Sequence, residues 1–304
     1  MTENTMHSVG QDTRPVVVGV DGSESSAHAA IWAAAEAQRR GVALTVVHAL
    51  NLPNSAVPPI EPTGYAQRRR AEGTGLLDKA TTALRARYPE LTLDVELTDL
   101  DPAHTLVDFS RTAALTVTGS RGHGGFAGML LGSVSRKLAA HSQSPLTVVR
   151  RPPPSPNAAD LVVLGIGPEP CESAARYAFE TARRDGLGLI ALRAWWSNAM
   201  RTGVAGLGAM YLGDPEQDRR SAVAVAEGAV EKLHTEYPDV TVNITATEGN
   251  AVPALIDAAR AARLLVLGTH RHHGPLSVGP GYVVDGVLAH CPTPVTVVPE
   301  HSGL

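Results

Sequence analysis

Two cysteines in 304 residues, Cys171 and Cys291, are too few for a disulfide framework and match no zinc-ligand spacing. Aromatic residues make up only 4% of the chain, which argues against a platform that stacks single-stranded bases. The formal net charge is −4, so there is no basic field of the kind that gathers nucleic acid or anionic lipid. Arg68, Arg69 and Arg70 form the only tight basic run, and it reads as a solvated helix face or loop. No apolar run approaches the roughly 20 residues of a membrane span. The opening MTENTMHSVGQDTRP lacks the basic-then-apolar pattern of a signal, and its first thirteen residues read as a mobile tail. The expected setting is the reducing cytoplasm, with neither nucleic acid nor membrane as a partner. What the chain does have is 43% apolar residues and length enough for about two domains with real cores.

Those two domains are copies of one another. Tyr88-Pro89 recurs as Tyr237-Pro238, Gly119 as Gly268 and Gly132 as Gly281, each 149 positions on. SPLTVVR at 144–150 returns as TPVTVVP at 293–299 with the same offset. VVVGV at 16–20 matches VVLGI at 162–166, an offset of 146, so a few loop residues differ. Several landmarks in one order make a tandem duplication. The domains are expected at 14–150 and 160–299, with the proline-rich 151–159 as an extended linker.

Within the first copy, short apolar runs alternate with helical patterns. Strands are expected over 15–20, 44–50, 91–97, 114–120 and 145–150, and helices over 25–41, 65–88, 102–112 and 132–142. Continuous apolar strands alternating with helices mean a parallel sheet covered on both faces. The fold class is α/β: two tandem doubly wound domains, each a five-stranded parallel sheet with helices on both faces.

In such sheets ligands sit beyond the carboxyl ends of the strands. GSRGHGGFAGMLLGSVS at 119–135 lies there, between the fourth strand and the next helix. Gly119 and Gly122 suggest a backbone turning through positive φ and a close approach of ligand to main chain. Gly132 and Ser133 open a helix whose free amides and dipole favour a phosphate, with hydroxyls from Ser133 and Ser135 and charge from Arg121. A glycine-rich turn with Ser133 as a simple N-cap fits the loop alone equally well. Asp21, after the first strand, is a partner for a ribose hydroxyl or an adenine amine, or else a cap for the following helix. The frame is neither a Walker A loop nor the Gly-x-Gly-x-x-Gly fingerprint.

The spacing Gly119-x2-Gly122-x9-Gly132-Ser133, continued by Val134 and Ser135, resembles the ATP-binding signature of the universal stress proteins. Val20-Asp21-Gly22-Ser23, Val-His-Ala at 47–49 and Pro-Leu-Thr-Val-Val at 145–149 are similar to further landmarks of that family. The resemblance covers nearly the whole chain and implies a tandem member with a Rossmann-like, adenine nucleotide alpha hydrolase-like fold. It implies that Asp21, with the backbone of Gly19 and Ala49, holds adenine and ribose. Thr118, Gly119, Ser120, Arg121 and Gly122 would line ribose and phosphates, and Gly132, Ser133, Val134 and Ser135 would bind the phosphates. The implied ligand is ATP, with ADP or AMP as alternatives and Mg as a companion. The implied role is a nucleotide-dependent regulator or sensor in the bacterial stress response, at most a weak ATPase. The final strands of the two halves would pair antiparallel within the chain, and chains would dimerise further.

The second copy departs from this pattern. Asp21 becomes Gly167, Gly22-Ser23 becomes Pro168-Glu169, Gly122 becomes Arg271, Ser133 becomes Tyr282 and Ser135 becomes Val284. Each change removes a different part of the cradle, so the second domain is expected not to bind ATP in this manner. His270, His272 and His273, with His290 and Cys291 beyond, invite a metal reading but lack a helical His-x3-His spacing and a clear third ligand. His48 reads as a packed histidine, and His123 has no evident partner for acid–base work. Neither a Ser-Gly-Gly-x-Asp-Ser loop nor His-x-Gly-His follows the first strand. An ATP-hydrolysing enzyme and a nucleotide-independent scaffold are the alternatives to a sensor.

Overall fold

Valines 16, 17 and 18 show in three residues how the chain folds. Val16 and Val18 point into one apolar cluster and Val17 into another, because successive strand side chains face opposite sides of a sheet. A computed structural model describes residues 12–53, 64–122, 130–150, 160–197, 214–269 and 280–300. The expected linker at 151–159, the N-terminal tail before residue 12, His123 and the histidines at 270–273 lie outside the described residues.

The first half runs β1 (Val16–Gly19), α1 (Glu24–Arg40), β2 (Leu44–Ala49), α2 (Tyr65–Arg87), β3 (Leu93–Thr98), α3 (Pro102–Phe109), β4 (Leu115–Gly119), α4 (Ser133–His141) and β5 (Leu146–Val149). The second repeats it as β6 (Leu161–Gly165), α5 (Glu172–Asp185), β7 (Gly188–Trp195), α6 (Pro215–Glu236), β8 (Val242–Glu248), α7 (Ala251–Ala259), β9 (Leu264–Thr269), α8 (Tyr282–His290) and β10 (Val295–Pro299). Punctuation is local: Ser23 caps α1 by accepting from the Ser26 amide, and Gly41 closes it at φ 67°.

The two five-stranded parallel sheets are halves of one ten-stranded sheet, ordered β3-β2-β1-β4-β5-β10-β9-β6-β7-β8. Only the central seam, β5 against β10, is antiparallel among the described pairings. There Thr147 lies opposite its own counterpart, Thr296, with the two buried hydroxyl oxygens 2.7 Å apart. Helices α1, α2, α5 and α6 cover one face of the sheet, and α3, α4, α7 and α8 the other.

A second tie crosses the seam on the first face. Glu36 of α1 is only 2% exposed, yet it sits inside an apolar stripe of alanines. Its carboxylate meets Arg39 at 2.6 Å, Arg40 at 2.7 Å and, from the other half, Arg184 of α5 at 2.9 Å. Burial alone would raise its pKa; Arg40, Arg184 and Arg39 overcome that and hold it at about 2. Arg40 also donates to the Tyr177 hydroxyl of α5 at 2.9 Å. The halves are thus joined by strand pairing, apolar packing and a buried ion cluster.

Candidate functional site

A cavity of about 890 Å³ opens beyond the carboxyl ends of β1, β2 and β4. Parallel strands leave their connections to helices at that edge, so residues far apart in sequence converge there. Gly19, Val20 and Asp21 come from the end of β1, and Ala49 from the end of β2. Thr118 and Gly119 come from β4, followed by Arg121 and Gly122. Gly132, Ser133, Val134 and Ser135 close the far wall. Twelve of the fifteen residues expected at the site line this one cavity. Gly22, Ser23 and Ser120 stand behind it.

Those three have definite jobs. Gly22 takes φ 82°, a conformation costly for a side chain, and turns the chain from β1 into α1. Ser23 then orients Asp21: its amide donates to Asp21 Oδ1 at 3.0 Å and its hydroxyl at 2.6 Å. The helix cap offered above as an alternative role for Asp21 therefore belongs to Ser23. The Ser120 carbonyl accepts from the Gly132 amide at 2.8 Å and draws the two arms of the glycine loop together.

The glycines act differently from expectation. Neither Gly119 nor Gly122 has positive φ; each instead lies close to another segment, Gly119 against backbone and Gly122 against a side-chain tip. A Cβ on Gly119 would stand 2.7 Å from the Ser25 backbone carbon, and one on Gly122 would run into the Asp21 carboxylate. The counterpart of Gly122 in the second copy, Arg271, lies outside the described residues. At Gly132 the chain is extended, φ −70° and ψ 155°, and no side chain caps the α4 N-terminus that faces the cavity. Uncapped amides with a helix dipole behind them suit an anion. Ser133 is exposed there, whereas Ser135 is buried, donating to the Gly119 carbonyl at 2.8 Å and lying 3.1 Å from the Thr118 hydroxyl. Ser135 thus braces α4 against β4.

Further residues on the wall were not among those expected. His48 is buried as a packed histidine, and its Nδ1 lies 2.7 Å from the Val20 carbonyl, fixing the end of β1. Arg69 is not merely solvated: it lines the cavity, pairs with Glu72 at 3.2 Å and reaches the Leu50 carbonyl at 3.5 Å. Its neighbour Arg70 pairs with Asp99 on the edge of the sheet. The signal was present, since Arg69, Gly73 and Leu76 recur at helical spacing and share one face of α2. Asp101 lies on the same wall and caps α3, accepting from the amides of Ala103 and His104 at 3.1 and 2.9 Å.

The corresponding edge of the second half is built otherwise. The amides of Val20 and Ile166 donate to the carbonyls of Val47 and Leu192, each at 2.9 Å, which makes Arg193 the counterpart of His48. Arg193 Nη1 donates to the carbonyls of Ile166, at 3.4 Å, and of Gly167, the residue in place of Asp21. Its guanidinium lies over the strand end. Gly281 opens α8 at φ 97°, Tyr282 is 74% exposed, and Val284 is buried where Ser135 braces the first half. Cys171 packs against Gly268 as Ser25 packs against Gly119; burial pushes its thiol up to about 11. Both cysteines are free, and among the described residues no three His, Cys, Asp or Glu side chains cluster to hold a metal.

The model of the universal stress protein family matches residues 13–150 and again 159–299. The chain belongs to the universal stress protein family. A universal stress protein of Mycobacterium tuberculosis is 34% identical over 325 residues, covering 95% of this chain and 96% of its own. Among solved structures, a universal stress protein from Archaeoglobus fulgidus covers 96% of this chain and 98% of its own at a TM-score of 0.71 and 18% identity, a likeness of fold. Another from the same organism, solved in complex with dAMP, is 25% identical, covers 45% of this chain and 98% of its own, and has a TM-score of 0.34. No helix among the described residues is long and apolar enough to cross a membrane.

Proposed function

We propose that the first domain of this universal stress protein binds ATP, or its relatives ADP and AMP, and that the chain acts as a nucleotide-dependent regulator in the stress response. One observation carries the reading. The oriented Asp21 carboxylate and the uncapped α4 N-terminus face a single cavity of about 890 Å³. That volume falls in the roughly 300–1,000 Å³ range of small-molecule sites. Asp21 suits the hydroxyls and amines of a nucleoside, and the α4 amides with Ser133 and Arg121 suit its phosphates.

Nucleotide is read as ligand rather than substrate. The carboxylates along the wall are already engaged: Asp21 by Ser23, Glu72 by Arg69, and Asp101 by the first amides of α3. A magnesium ion would therefore travel with the phosphates, held chiefly by them and by water. The second domain is proposed to be the silent half, its strand end covered by Arg193. Denaturing freshly purified protein and identifying the released nucleotide tests the whole reading. One adenine nucleotide per chain is expected; none, even after ATP is added, leaves a scaffold, and two equal sites refute the silent half. Steady phosphate release would replace the regulator with an ATPase.

A further inference from the structure

β5 and β10 are counterparts, yet β5 runs out into Arg150 where β10 has Pro299. The Arg150 side chain crosses the seam. Its Nη2 donates to the Leu130 carbonyl at 2.7 Å and to the Leu288 carbonyl at 3.0 Å. Leu288 lies in the last turn of α8, and the residue four positions on, Pro292, has no N–H to give that carbonyl. A cation there also suits the helix dipole. One end of the contact is therefore a helix cap in the second half.

The other end is of a different kind. Leu130 stands two residues before Gly132, in the arm that leads into α4, and Leu131 and Gly132 already line the cavity. The α4 helix is tied to α8 as well, through Arg136 and Asp285 at 3.4 Å.

We propose that Arg150 is a positioning residue for the phosphate end of the nucleotide site, anchoring in the second half the arm that aims the α4 N-terminus. The proposal rests on the nucleotide-binding reading above. It gives the silent half a part in the site of the binding half. The contact has no mirror image, because the Pro299 side chain has no donor. Since the arm meets the phosphates and not the base, loss of Arg150 weakens ATP and spares adenosine.

Calorimetric titration of the nucleotide-free full chain with ATP and with adenosine tests this, on the wild type, Arg150→Ala and Arg150→Lys, with a melting curve for each. Arg150→Ala is expected to bind ATP about tenfold more weakly, the scale of one hydrogen bond from a charged donor. Adenosine affinity should hold, and Arg150→Lys should recover part of the loss. A lower Tm with an unchanged ratio of ATP to adenosine affinity would make Arg150 only the cap of α8 and overturn the proposal. Should Arg150→Ala fail to fold, the same ratio in Arg150→Lys decides: reduced supports positioning, unchanged refutes it. A wild type that binds neither ligand removes the nucleotide reading and this proposal together, an outcome distinct from binding that ignores Arg150.

Discussion

Asp21 and Gly167 stand at the same point on two halves of one sheet, and the structure around them has diverged in opposite directions. In the first half the strand end is kept open: Ser23 holds the carboxylate to one side, His48 stays packed beneath, and Gly122 leaves room beside it. In the second half the packed histidine has become Arg193, whose guanidinium lies across the strand end. The strands, the helices and even the close contact beneath Gly119 and Gly268 persist in both. A duplicated fold can therefore be held by its core while the edge that faces ligand changes freely, because core packing and edge chemistry depend on different side chains.

The severest way to break the comparison is to separate the halves. Glu36 has no equivalent in α5, where Thr181 occupies the matching position before the closing glycine. Replacing it by Gln leaves Arg40 beside a neutral amide while Asp185 still pairs with Arg39 and Arg184, and the expected loss is about 3 kcal/mol in denaturant titration. The same carboxylate predicts a pH dependence. Its pKa is lowered from 4.5 to about 2, so its contribution is complete above about 4.5 and drains away as pH falls towards 2. Glu36→Gln should flatten that acid limb; an unchanged limb would assign it to other groups.

Next in size is the paired Asp21→Ala and Gly122→Ala variant, which should bind nucleotide at least about a hundredfold more weakly, some 2.7 kcal/mol, by equilibrium dialysis. Its circular dichroism should be unaltered, since both positions lie at the edge of the sheet. Retained affinity would move the site elsewhere. Ser135→Val gives the first half the side chain of the second and removes one of two hydroxyl donors to the Gly119 carbonyl, leaving that of Thr118 at 3.1 Å. It should cost about 1–2 kcal/mol in thermal unfolding, with no loss if the brace is idle. The smallest expected effect is that of Arg193→Ala. It uncovers the second strand end without supplying a carboxylate or an α4-like helix start, so the count of bound nucleotide should remain one per chain. A second site appearing would mean that Arg193 alone silences this half.

The strands and helices were legible because their signals are local: apolar runs, capping serines and closing glycines sit next to the elements they shape. The duplication was legible because its landmarks keep their order. Gly41 was expected to close α1, and it does so with the left-handed backbone that the role requires. What was hidden depends on docking between distant segments. Arg69 faces the cavity only because α2 packs over β2, and Glu36 sits among alanines only because α5 of the other half brings Arg184 to it. The glycines at 119 and 122 were visible, but the segments they lie against, at Ser25 and Asp21, are about a hundred residues away. The start of β3 moved from 91 to Leu93 because an edge strand has one neighbour to define its limits.

The meeting of Thr147 with Thr296 has a consequence for how such a chain can vary. A side chain that faces its own copy must be able to serve as its own partner, and a hydroxyl can, since it both donates and accepts hydrogen bonds. In an assembly of two identical chains, a change there strikes both partners at once, and a carboxylate or an ammonium would confront its own charge. Joined in one polypeptide, the two positions are written separately. Either threonine can change alone, and an unlike pair becomes reachable one step at a time.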